Sequence, residues 1–167
     1  MAASAGAEGQ PLITSPGRII QINVADGGVP KLPVPSARVS RGGVAGDRQR
    51  DLRYHGGPDR AVCCFALEVI ERLRAEGHPI APGTTGENLT LAGLDWTRVR
   101  ESARLRFAGG VELEVTGFAS PCGNIRGSFR DGQIERLSDK LHPGESRVYC
   151  RVLVEGDVSV GESVRLA

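Results

Sequence analysis

Three short stretches of this 167-residue chain hold side chains able to do chemistry. The first is Ser120-Pro121-Cys122-Gly123-Asn124-Ile125-Arg126. A cysteine in a Pro- and Gly-containing segment, four residues from a guanidinium, is unlike a core cysteine. Its thiolate would be both a nucleophile and a soft metal ligand. The plainer reading is an unreactive surface thiol, and the residues alone leave both open. The second stretch is His55-Gly56-Gly57-Pro58-Asp59-Arg60. Its glycines allow close backbone approach to a ligand, and Arg60 offers a planar fork for phosphate. A helix starting directly afterwards would add N–H groups and a positive dipole end. The plainer reading is a turn with a solvated histidine. The third is Gly83-Thr84-Thr85-Gly86-Glu87-Asn88-Leu89, where the Asn88 amide could read a polar heterocycle or phosphate or simply shape a turn.

The remaining thiols and histidines look less reactive. Cys63, Cys64 and Cys150 lie in apolar runs and read as small hydrophobes. His78 and His142 each sit beside a proline and read as surface residues. No C-x-x-C pair and no H-x-x-x-H occurs, so a structural zinc site has little support.

The elements that must position these groups are mostly short strands. Residues 18–24 alternate apolar and polar, as a half-buried strand does. In 31–35 (K-L-P-V-P) each proline lacks a ladder donor, which predicts an extended loop rather than a central strand, leading to a short strand near 37–40. Residues 41–60 follow no period and predict a functional loop. Residues 61–76 predict the clearest helix, with Val62, Phe65, Val69, Ile70 and Leu73 on one face, Asp59 as N-cap and Gly77 just past its end. Residues 104–107 and 111–115 form an expected hairpin across Gly109-Gly110. Further strands are expected at 149–154, 158–160 and 164–166, and a short strand or helical turn at 133–137. Trp96 is expected to pack over the core edge.

Together these elements predict a mainly β fold: a barrel of short strands with one clear helix and a few helical turns. Residues 1–17 read as a disordered tail and 18–167 as a single domain. Lys plus Arg number 21 against 20 for Asp plus Glu, so bulk charge makes no case for nucleic acid or an anionic membrane. No apolar run approaches the roughly 20 residues of a membrane span, and no secretory signal is visible. Reduced thiols and a cytoplasmic location are expected.

The order of motifs then meets a known family. P-K-L-P-V at 30–34, G-V-A-G-D at 43–47, H-G-G-P-D-R-A-V at 55–62, G-E-N-L at 86–89 and S-P-C at 120–122 resemble the MOSC domain, named for the C-terminal domain of molybdenum cofactor sulfurases. The resemblance is greatest to the short bacterial branch that includes reductases of N-hydroxylated purine bases. It implies a MOSC-type β-barrel and a molybdopterin-type cofactor whose metal is held by a protein cysteine, with no haem, flavin or zinc. Cys122 matches that metal-binding and catalytic cysteine, with Ser120 before it. Asn88 matches the asparagine lining the cofactor pocket, His55 and Gly56 match the H-G-G motif, with His55 a candidate catalytic residue beside Cys122, and Lys31 matches the basic residue of the P-K-x-P-V motif. Asp47, Arg60 and Arg126 join the candidate cofactor-binding set through their charge. Relatives often have a large residue after the cysteine; this chain has Gly123-Asn124.

The function so implied is reduction of an N-hydroxylated small molecule at a Cys-ligated molybdenum centre. Electrons would come from a separate reductase partner. An alternative is a sulfur carrier, with a persulfide on Cys122 received from a cysteine desulfurase-like donor. A third is a module that only binds a phosphorylated small molecule. A monomer or homodimer is compatible with either of the first two.

Overall fold

The computed structural model describes residues 15–49 and 56–167; His55 lies outside them. Eleven strands and one α-helix follow one another through the described residues: β1 (Gly17–Val24), β2 (Leu32–Val34), β3 (Ser36–Ser40), β4 (Gly43–Val44), β5 (Val62–Ala66), α1 (Leu67–Ala75), β6 (Leu89–Ala92), β7 (Arg104–Phe107), β8 (Glu112–Phe118), β9 (Val148–Val154), β10 (Gly156–Ser159) and β11 (Ser163–Leu166). Short 3-10 turns fill the connections, among them Pro58–Arg60, Gly123–Ser128 and Ile134–Leu137.

The main sheet runs β11-β7-β8-β9-β5-β6-β1-β2, and β11 also pairs with β1. That extra pairing closes a barrel of seven strands and leaves β2 hanging from β1. Closure removes the open edges that a flat sheet would expose. The edge position of β2 explains how Pro33 can sit in register with Asn23, since its missing donor faces outward. A small second sheet, β10-β3-β4, stands beside the barrel. Ile19, Ile22, Phe65, Leu89, Leu105, Leu113, Val148 and Val164 are all fully buried and fill the core.

The predicted helix over 61–76 divides in two. Its first part is β5, every residue of which is buried, and the helix begins only at Leu67. β5 pairs in parallel with β6 and antiparallel with β9. A strand buried on both faces reads as a continuous apolar run, which matches a helical face as readily as a strand. The parallel pair requires a crossover, and α1 supplies it, burying Val69, Ile70 and Leu73. Ala66, not Asp59, is the N-cap. At its other end Gly77, at φ 97°, leaves the helix as the sequence predicts.

Two more expectations change. Leu89–Ala92, hidden behind the glycine-rich motif, is a central strand. His78 is buried, accepting the Arg130 N–H at Nδ1 (3.1 Å) and meeting the Phe129 ring edge-on. Arg136 ties the 134–137 turn to the end of α1 through Glu76 (3.0 Å) and to Glu145. Hydrogen bonds to Glu145, the larger effect, and to Glu76 hold the guanidinium above its ordinary pKa.

One glycine is required by both conformation and contact. Gly83 has φ 85°, and a Cβ there would meet the Lys31 carbonyl oxygen at 2.4 Å. Gly83→Ala is expected to destabilise the protein by about 2 kcal/mol or more in urea unfolding. Gly127→Ala, where nothing lies within 4 Å, is expected to stay within about 0.5 kcal/mol.

Candidate functional site

The strand registers lay a row of residues across the barrel wall. The Asn23 N–H donates to the Asn88 carbonyl (2.7 Å), and the Asn88 N–H donates to the Cys63 carbonyl (2.8 Å). Cys63 pairs with Tyr149, and Tyr149 with Gly117. The motif at 86–89, the start of β5, the end of β8 and the start of β9 thus meet in one place. β8 shifts register between Val115 and Gly117, a bulge that re-aims the chain as it leaves toward Cys122.

A buried ion pair frames one side. Lys31 Nζ lies 2.7 Å from Asp47 Oδ2, with the two side chains 5% and 6% exposed. Asp47 also accepts the Ala25 N–H (3.0 Å), Asn88 Nδ2 (2.9 Å) and Gln49 Nε2 (3.2 Å). Four donors match the acceptor capacity of a carboxylate. Asn88 completes the hub: Oδ1 accepts the Cys63 N–H (3.0 Å), while Nδ2 also reaches the Asn23 carbonyl (3.3 Å). Both amide protons of Asn88 are therefore engaged with protein, and its place is in the wall of the site.

The glycine-rich motif is held by a second buried carboxylate, which the sequence reading missed. Glu87, fully buried, accepts the Gly83 N–H (2.6 Å), Thr85 Oγ1 (2.7 Å) and Thr90 Oγ1 (3.1 Å). Also missed was Arg147, 6% exposed, which donates to the Thr85 carbonyl (2.6 Å) and the Ser120 carbonyl (3.3 Å). The only local hint was a lone arginine before an apolar strand; its partners are remote in sequence.

The candidate side chains are unevenly gathered. The Arg60 guanidinium lies 5.4 Å from the Tyr149 ring centroid, within cation–π reach. It sits in a 3-10 turn leading into a strand, so the H-G-G-P-D-R segment does not open a helix as expected. Burial pushes the Tyr149 hydroxyl up to about 12; the charges of Cys63 and Cys122 act in the same direction, and Arg147 and Arg60 oppose them. Cys122 thus lies within electrostatic reach of this row. Ser120 is exposed and contributes its carbonyl. Gly56 has φ 79° at the start of the described segment. Arg126 is exposed, its stem against Gly132.

The four thiols separate sharply. Burial raises Cys63 to about 12, against the lowering fields of Arg147 and Lys31. Cys64 is pushed well up by its hydrogen bond to Cys150 and by burial. Cys150 is fully buried, whereas Cys122 is half-buried. The three buried thiols are structural, as their apolar runs predict.

Loss of the Asp47 charge would leave the Lys31 ammonium buried without its counter-ion. Asp47→Asn is expected to cost about 3 kcal/mol or more in chemical denaturation, and the double variant Lys31→Met/Asp47→Leu to recover part of that loss.

A family model for the MOSC domain matches residues 51–165. An uncharacterized protein of Bacillus subtilis, YflK, is 35% identical over 141 residues, 83% of this chain and 62% of its own length. YiiM of Escherichia coli is 27% identical over 128 residues, 74% of this chain and 56% of its own length. The chain therefore spans less than two thirds of either relative. The crystal structure of YiiM from Geobacillus stearothermophilus superposes with a TM-score of 0.70 at 26% identity, over 91% of this chain and 75% of that one. A Bacillus subtilis protein, YUAD, shares the fold with a TM-score of 0.68 at 18% identity, over 91% of this chain and 96% of its own. The barrel, its motif order and these matches agree: the chain belongs to the MOSC domain family.

Proposed function

We propose that this MOSC domain holds a molybdopterin-type cofactor through Cys122 and reduces N-hydroxylated small molecules, with electrons from a separate reductase partner. The observation carrying this reading is that Cys122 alone among the four thiols is half-open, beside a wall containing two buried cations. Among the described residues no group of three or more His, Cys, Asp or Glu could hold a metal ion. A single thiolate suits a metal that arrives with its own chelator, and a molybdopterin dithiolene is such a chelator. MOSC domains are in general associated with this cofactor.

The donor set fits such a group. Cys122 would supply the soft sulfur ligand. The ammonium of Lys31 and the enclosed Arg147 Nε, which has no partner among the described residues, would face its anionic oxygens. Arg60 would add charge at the rim. When bound, the cofactor supplies the two-electron redox chemistry; the chain binds it, orients it and shields it from water. A cleft of about 250 Å³ lined by Val29, Pro30, Pro79, Thr84, Asn124 and Ser128 adjoins the Cys122 segment. It offers a small, largely apolar seat for a flat substrate.

Two measurements follow. Iodoacetamide at pH 8, read by peptide mass spectrometry, is expected to label Cys122 first and to reach Cys63, Cys64 and Cys150 only after unfolding, because all three are buried and the Cys63 thiol, pushed up to about 12, has almost no thiolate there. Equal labelling of all four in folded protein would contradict the assignment. Cys122→Ser, purified from cells making ample cofactor, is expected to lose molybdenum and pterin by roughly tenfold or more and to lose N-hydroxy reduction, with its unfolding midpoint unchanged. Retained molybdenum would overturn the reading. A sulfur donor adding about 32 Da at Cys122 in a metal-free wild type would favour the carrier instead.

A further inference from the structure

We infer that Arg147 is a positioning residue for Cys122: its guanidinium clamps the cysteine segment to the glycine-rich loop and so sets where the thiol stands. The inference rests on Cys122 being the functional thiol, as proposed above. The ladder between β8 and β9 ends just before that segment, with Phe118 paired to Val148 and the Ala119 N–H donating to the Arg147 carbonyl (2.9 Å). Beyond it the chain turns away into the 3-10 segment, where the Cys122 carbonyl accepts the Ile125 N–H (3.2 Å). Between the end of the sheet and the thiol, the Ser120 carbonyl is held by Arg147 at 3.3 Å. The other prong of the same guanidinium holds the Thr85 carbonyl at 2.6 Å. Thr85 is itself fixed by Glu87, next in sequence to Asn88.

Arg147 has no ion-pair partner among the described residues, and its remaining Nε is buried. Burying a cation without a carboxylate carries a desolvation penalty, and an apolar side chain could fill the same space. What an apolar residue could not do is fix two carbonyls, 35 residues apart in sequence (85 and 120), at the set angle of a planar fork. Lysine, a point donor on a flexible stem, could hold them only loosely.

The test uses the full chain without cofactor. Arg147→Met is compared with wild type, with Arg147→Lys, and with Val164→Ala, a core truncation remote from the site. Hydrogen–deuterium exchange at residues 119–123 and 84–88 is expected to rise together by roughly tenfold in Arg147→Met, and the alkylation rate of Cys122 to change by about threefold or more. Arg147→Lys should fall between Arg147→Met and wild type. Val164→Ala should raise exchange without singling out these two loops. Wild-type exchange and alkylation in Arg147→Met, or a rise no more local than in Val164→Ala, would overturn the clamp. If Arg147→Met does not fold, wild-type values in Arg147→Lys overturn it. Failure of the cofactor reading would show as retained molybdenum in Cys122→Ser and leave this apo-protein result standing.

Discussion

A buried carboxylate holding a lysine, two side-chain amides and a backbone N–H is the constraint on which this site depends. Asp47 gathers Lys31, Asn88, Gln49 and Ala25 around two oxygens. These partners come from the end of β1, the approach to β2, the loop after β4 and the start of β6. Each charge alone would be costly at this depth, by several kcal/mol after relaxation. Together, with charge-assisted bonds on the carboxylate, they tolerate few other arrangements. The chain cannot shift its register at β1 or β6 without leaving one of these donors or acceptors buried and unmet.

That rigidity passes to the neighbouring strands through Asn88. Its side-chain oxygen holds the Cys63 N–H, so β5 is fixed by the same hub that fixes β1. β5 in turn sets β9, and β9 sets β8, through their antiparallel registers. The thiol segment leaves β8 at the far end of this sequence of pairings. The frame is therefore dry and polar on one side and half-open at Cys122 on the other. β5 and β9 lie between the strand that begins beside Asn88 and the strand that leads to Cys122.

The fold class was legible in the sequence, and the reason is visible in particular strands. β7 and β8 alternate between a buried and a more open face, and their sequences show it; in β1 a bulge after Ile19 breaks the expected alternation, burying Ile19 and Ile22 and exposing Ile20. β5 is covered on both sides, so Val62–Ala66 has no alternation to display and merges with the helical face of Leu67–Ala75. The short β6 was masked by its polar Thr90, whose hydroxyl is turned to Glu87. Of the site, Lys31, Asp47 and Asn88 were identifiable one by one, through motif and charge. Their mutual contacts were not, because they join residues 16 and 41 positions apart in the chain (31 with 47, 47 with 88). His78 looked like a surface residue because its partner Phe129 is likewise remote.

Distance along the chain also hid Arg147, whereas Cys122 stood out. Cys122 is marked by its immediate neighbours, Pro121 before it and Gly123 after it, which keep it out of a regular strand. Arg147 has no such local mark; its meaning lies in two carbonyls on other segments, and backbone carbonyls leave no trace in residue identity. Motif reading thus finds groups that would meet a ligand and passes over those that meet the backbone. In this barrel the second kind, Arg147, holds the Ser120 carbonyl two residues before the half-buried thiol. A group that meets a ligand must be held within about half an ångström to be productive, and a loop that carries one gains that precision from the rigid scaffold and buried donors beneath it.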